Sequence, residues 1–277
     1  MIEGLRRAAA HVGGSPVTIG VDAWGVDYAC LDSGGTLMAP MRHMRDPRTD
    51  GVYEEIHHRL SREELYRRTG AMTIQINTLA ALRREARPAV AAGECGDAPL
   101  HVRSHQLFSD RTARLRRHNC VDLAISRSDA KELARRSRGP WPGEPFLPPL
   151  VESGFVLGPL LPDVREATGL NESARVVGVA GHDTAAAVAA TPFIAGRRAA
   201  FLSSGTWSLL GREIAAPDLS AAAVAGNFTN ECGVGGMIIH HRILCGLWLL
   251  QERRRIWSKT APLDYAELDR AAAARRR

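Results

Sequence analysis

Among the residues able to do chemistry, the run Gly181-His182-Asp183-Thr184 stands first. It follows the hydrophobic stretch 175–180 (R-V-V-G-V-A) and opens an alanine-rich segment. A carboxylate is thereby placed where a strand ends and a helix begins. Ligands of open α/β sheets gather at such points, close to free helical N–H groups. An aspartate there can take the proton of an alcohol as that alcohol attacks a phosphoryl group. Spacing alone leaves the plainer role of helix N-cap open for Asp183. Ser203-Ser204-Gly205-Thr206 separates two strand-like stretches. Its small residues permit close backbone approach, and its N–H and hydroxyl donors suit phosphate oxygens, or it is an ordinary hairpin turn. Asp22-Ala23-Trp24-Gly25-Val26-Asp27 offers an aromatic face and acidic acceptors to a sugar, or is a structural turn. The adjacent pairs His57-His58 and His240-His241 diverge if helical, so a metal pair is not expected. No Walker-type loop and no G-x-G-x-x-G run is present.

The elements that must position these residues read as mixed α/β. Residues 17–22 (V-T-I-G-V-D) alternate with β-branched side chains and predict a strand, and 26–32 a second. Residues 44–51 form a polar loop around Asp46-Pro47-Arg48, and 52–60 are helical in pattern. Ser61-Arg62-Glu63-Glu64 is a capping-box signature for a helix to about Thr69. A further helix is expected over 77–87. Periodicity is lost from 93 to 142. Beyond it, strands are expected at 175–180, 199–203 and 207–214, with a helix starting at Thr184. The spacing of Leu244, Leu247, Trp248 and Gln251 predicts one helix over 241–257. The tail 271–277 shows nothing that caps or closes a fold.

Composition bounds the function class. The 277 residues, 45% hydrophobic and 24% charged, are those of a globular chain with room for a substantial core. No apolar run has the length of a membrane span, and the first ten residues lack the apolar stretch of a secretory signal. Five scattered cysteines without C-x-x-C spacing point to free thiols in a cytoplasmic setting. The net charge of +6 is concentrated in 97–143, where aromatic residues are sparse and no reader motif occurs. A nucleic-acid partner is therefore not expected, nor is a membrane.

Taken together, the runs resemble the FGGY carbohydrate kinase family, in its rhamnulokinase branch. They are I-G-V-D-A-W-G-V-D from Ile19, R-D-P-R-T-D-G from Arg45, E-L-Y-R-R-T-G from Glu64 and Asn77-Thr78-Leu79. Further on come F-L-P-P-L-V-E from Phe146, G-H-D-T-A-A-A-V from Gly181 and L-S-S-G-T-W-S-L from Leu202. N-F-T-N-E from Asn227 and G-L-W-L-L-Q-E from Gly246 complete the set. The resemblance implies an actin/hexokinase-like ATPase (ribonuclease H-like) fold of two domains. Residues 1–180 would belong to the sugar-binding domain and 181–277 to the nucleotide-binding domain. It implies transfer of a phosphoryl group from ATP, with Mg²⁺ bridging the phosphates, to the 1-hydroxyl of a ketose such as L-rhamnulose. Asp183 would be the base, and Gly25, His182 and Thr184 would contact the sugar. Thr206 and Gln251 would contact ATP.

Three departures accompany the resemblance. The family opens with a phosphate loop well upstream of the W-G-V-D run, and it continues past Tyr265 to a Gly-rich adenosine-binding turn. The chain is accordingly expected to be incomplete at both termini. A family asparagine that contacts sugar corresponds to Ile243, which cannot bond a hydroxyl. With suitable codons, residues 119–141 read one base later resemble the family at that place. We therefore expect 97–142 to be translated out of frame between two compensating shifts, which would make its arginines an artefact. A chain lacking that packing is expected to express poorly and to show little kinase activity.

Overall fold

A computed structural model of the chain describes residues 1–22, 29–30, 46–58, 60–77, 100–101, 152–180, 183–194 and 197–275. The expected second strand over 26–32 and the expected helix over 77–87 lie largely outside these residues. Of the segment 97–142, only Leu100–His101 (β3) is described, paired with Ala29–Cys30 (β2).

The chain opens with an amphipathic helix, α1 (Ile2–Val12). Its apolar positions Ile2, Leu5, Ala9 and Val12 recur at helical spacing and pack on a buried cluster of Leu157, Leu160, Val164, Leu170, Ala174 and Val176. That cluster belongs to a three-stranded sheet and a covering helix. The sheet orders β1 (Thr18–Gly20), β5 (Arg175–Val177) and β4 (Val156–Pro159), with β1 parallel to β5 and β4 antiparallel. Val176, on the central strand, is fully buried. The covering helix, α4 (Pro162–Thr168), has a proline in its first turn and ends at Gly169 in the left-handed region. Arg6 of α1 reaches across to the carbonyl of Ala167, at 2.9 Å from Nη2, and so satisfies a helix-end acceptor.

Asp46 Oδ1 accepts the N–H of Arg48 at the head of a single 3₁₀ turn, Pro47–Thr49, inside the expected polar loop. α2 (Val52–His57) and α3 (Arg62–Thr69) follow, with Val52, Tyr53, Ile56, Leu65 and Ala71 forming their shared core. The capping box expected at Ser61 is present in half. Ser61 Oγ accepts the N–H of Glu64 at 3.1 Å, while the Glu64 carboxylate takes Arg68 Nε at 2.6 Å and also pairs with Arg67. Two cations one turn further along hold the carboxylate there.

The second large sheet is antiparallel throughout, in the order β6 (Phe201–Ser204), β7 (Trp207–Ile214), β9 (Ile238–Cys245) and β8 (Phe228–Cys232). Helix α5 (Asp183–Ala190) covers it through Ala185 and Val188, which meet Phe201 and Ile239. A short helix, α6 (Ala221–Ala225), precedes β8, and α7 (Trp248–Trp257) and α8 (Tyr265–Ala274) end the chain. The single helix expected over 241–257 is corrected. Residues 238–245 pair along their whole length with β7, and helix begins only at Trp248. The apparent helical spacing joins Leu244, on the strand, to residues on the helix across Gly246. Residues 271–274, read as a plain tail, complete α8, whose N-terminus carries a full capping box of Asp264 and Glu267.

Candidate active site

The parallel pairing of β1 with β5 is the feature that assembles the candidate site. Thr18, Ile19 and Gly20 lie beside Arg175, Val176 and Val177, so both strands run out at the same edge of the sheet. From that edge one chain passes through Asp22 into the W-G-V-D run, and the other passes through Ala180 into Gly181-His182-Asp183-Thr184. The two strands touch closely here. A Cβ on Gly20 would sit 2.3 Å from Val179 Cγ1, so only glycine allows this spacing. Motifs read separately in the sequence thus leave neighbouring carboxyl ends of one sheet, where ligands of α/β folds bind.

Asp183 is exposed and is the first residue of α5, with its Oδ1 accepting the N–H of Thr184 at 2.8 Å. Thr184 is buried against the helix's packing face, which fixes the carboxylate's base. Gly25 and His182 lie outside the described residues. An exposed carboxylate on a rigid helix start can accept a proton from an alcohol brought to it, which is the chemistry expected of it.

The other two predicted contacts, Thr206 and Gln251, are brought into one junction. The β6–β7 turn docks on the start of α7, where Leu247 N–H donates to Gly205 O at 2.8 Å and Trp248 N–H to Thr206 O at 3.2 Å. Gln251 is exposed in the first turn of α7, and Thr206 is exposed on the turn. Gly246 makes the docking possible, since a Cβ there would lie 2.4 Å from Gly205 O and 2.6 Å from Ser208 Oγ. The phosphate-cradle reading of Ser203–Thr206 needs correction at one donor. The Gly205 N–H is occupied by Trp207 O at 2.9 Å, closing the hairpin. Because α5 lies over the sheet that carries this hairpin, Asp183 and Thr206 belong to elements packed together.

Among the described residues no cluster of three or more His, Cys, Asp or Glu is arranged to hold a metal ion. Mg²⁺ on a nucleotide takes most of its ligands from phosphate and water and only one or two from carboxylates. Asp22 and Asp183 are exposed carboxylates. Thr206 and Gln251, also exposed, carry a hydroxyl and an amide.

Sequence reading gave no role to Asn230, whose side chain joins β8 to α3 and to the segment before α6. It is 2% exposed. Its Nδ2 lies 2.8 Å from Gly70 O and 3.2 Å from both Tyr66 Oη and Asp218 O, and its Oδ1 accepts Asp218 N–H at 2.9 Å. The signal was available, because N-F-T-N-E and E-L-Y-R-R-T-G are two of the quoted runs, and this contact joins them. His240 and His241 occupy opposite faces of strand β9 and not a helix, and both are buried. His241 Nε2 approaches Glu231 Oε1 to 2.8 Å.

No family model matches the chain. It is 37% identical to the rhamnulokinase of Bacteroides thetaiotaomicron over 279 residues, covering 97% of this chain and 54% of that protein. It is 34% identical to the rhamnulokinase of Pectobacterium carotovorum, covering 99% of this chain and 53% of the relative. The chain is similar to rhamnulokinases along nearly its whole length. It spans about half the length of the curated rhamnulokinases it matches. Among solved structures, the xylulose kinase of Rhodospirillum rubrum superposes with a TM-score of 0.73 at 18% identity, covering 94% of this chain and 53% of that one. A second kinase of this kind, from Brucella ovis, gives a TM-score of 0.71 at 18% identity, covering 98% of this chain and 54% of that one. The fold is that of the FGGY sugar kinases, the actin/hexokinase-like ATPase architecture expected from the sequence. No helix among the described residues is long and apolar enough to cross a membrane.

Proposed function

We propose that the chain carries the sugar-phosphorylating centre of a cytoplasmic, ATP-dependent ketose kinase acting on L-rhamnulose at its 1-hydroxyl. The observation that carries this reading is the parallel β1–β5 pairing, which directs the W-G-V-D and G-H-D-T runs from one sheet edge. Asp183 takes the hydroxyl proton as the alcohol attacks the terminal phosphoryl group. Gly25, His182 and Thr184 orient the ketose, and Thr206 and Gln251 hold the nucleotide. Mg²⁺, when bound, neutralises charge on the phosphates. The rest of the rate comes from positioning two substrates in line. Residues 1–180 form the sugar-binding part and 181–277 the nucleotide-binding part.

A second reading is a catalytically inactive relative. It is favoured by Ile243, which cannot hydrogen-bond a sugar hydroxyl where the resemblance implies an asparagine. The solved xylulose kinases favour a third, a different ketose such as xylulose or L-fuculose. One experiment separates them: ATP consumption with a panel of ketoses, run beside Asp183→Asn. The proposal requires turnover with L-rhamnulose and a loss of about 10²–10⁴-fold in the variant, the usual contribution of a positioned base. Turnover that survives the substitution removes Asp183 from the role. No turnover with any ketose supports the inactive reading.

A further inference from the structure

Residues 46–77 lie in chain order between β1 and β5, two strands of the first sheet, yet their long-range bonds run to the second. Arg62 Nη2 donates to Asn227 Oδ1, and Tyr66 Oη donates to Asp218 O at 3.1 Å. Asn230 N–H and Nδ2 both donate to Gly70 O, at 3.0 and 2.8 Å, and Met72 N–H donates to Thr229 Oγ1 at 3.3 Å. The Asn230 amide is held in that orientation from behind, because its Oδ1 takes the Asp218 N–H and a proton from His240 Nδ1 at 3.0 Å. The approach is close. A Cβ on Gly70, whose φ is +70°, would lie 3.1 Å from Asn230 Nδ2 and 3.5 Å from Leu219 Cδ2. By contrast, among the described residues the apolar cluster of α2 and α3 draws no side chain from the first sheet, α1 or α4. The cluster of that sheet draws none from 46–77.

We propose that residues 46–77 are a strap carried by the second sheet, opening and closing together with α6 and β8 and independently of β1, β4 and β5. Segments open as a unit where buried contacts join them, and separately where such contacts are missing. Bonds on both sides of Gly70 stitch the end of α3 to β8. Two of the acceptors, Gly70 O and Asp218 O, are main-chain atoms that no side-chain rotation can withdraw. The consequence is mechanical. Movement of the second sheet carries a stretch of the sugar-binding part with it, across the line at 180 and 181 that divides the proposed kinase.

Native-state amide hydrogen exchange of the full chain, at increasing urea below the unfolding transition, tests the strap. In the wild type, residues 65–72 and 228–232 share one opening with a common urea dependence, and 157–177 open in a separate step. Asn230→Ala lowers protection at 65–72 by about tenfold or more, the loss of one or two hydrogen bonds, and leaves 157–177 as they were. Arg62→Ala removes only the exposed bond to Asn227 and lowers the same protection by about 2–10-fold. It decides in place of the buried variant if that one does not fold. Residues 65–72 that open with 157–177, or that keep their protection in the deciding variant, overturn the strap. So does one opening shared by all three segments.

Discussion

Gly246→Ala is the substitution through which the junction between the hairpin and α7 can be measured. The added Cβ would lie 2.4 Å from Gly205 O, 2.6 Å from Ser208 Oγ and 2.7 Å from the Trp207 carbonyl carbon. Two of those three atoms are backbone, so no rotamer change relieves the contact. The hairpin and the helix must separate by about 1 Å to restore ordinary packing distances, a typical overpacking cost of about 1–3 kcal/mol. That movement stretches the bonds from Leu247 N to Gly205 O and from Trp248 N to Thr206 O, now 2.8 and 3.2 Å. Each is worth about 0.5–1.5 kcal/mol net, so the whole change amounts to about 2–6 kcal/mol. Urea denaturation followed by tryptophan fluorescence reads both parts, because Trp207 and Trp248 flank the contact. We expect a lower midpoint and an altered native emission. A variant within about 0.5 kcal/mol of wild type, with unchanged emission, would refute the reasoning. The hairpin would then not be seated on α7 as described.

Asn230→Ala strands the Asp218 N–H and the His240 Nδ1 donor in a buried site, for a loss of about 2–5 kcal/mol by urea midpoint. In a double-mutant cycle with Tyr66→Phe, coupling below about 0.5 kcal/mol would show that the bridge to α3 is not energetically joined. Gly4→Ala acts in the opposite sense. Gly4 is interior to α1 and has open space around its Cβ position, so alanine stabilises by about 0.5–1 kcal/mol, read as a higher melting temperature. No gain would mean that α1 frays from the fold before the rest unfolds.

The strands that carry the candidate site were legible because each is a short β-branched or apolar run ended by small residues. Trp207–Ile214 matches its expected bounds, and the strands at 17–22 and 175–180 contain β1 and β5. The runs that name the family were legible too, since their order along the chain is specific. What failed was periodicity across a joint. Leu244 and Leu247 lie on two different elements, yet their spacing imitates one helix, because a break at a single glycine leaves no mark on the hydrophobic pattern. The Asn230 bridge was hidden for another reason. Its partners Gly70 and Tyr66 are 160 and 164 positions away, and no local pattern encodes a polar contact at that distance. The half-formed capping box shows a subtler limit, as Glu64 had two arginines within reach and the local signature ignored them.

Among the described residues β1 pairs with β5, which lies more than half the polypeptide further along. Closing so long a loop is entropically slow even though each doubling of length adds only about 0.6 kcal/mol. During synthesis β1 therefore emerges well before β5, and the paired strand ends can form only late. Chaperone dependence and sensitivity to stalled translation before Val177 follow from that order of events.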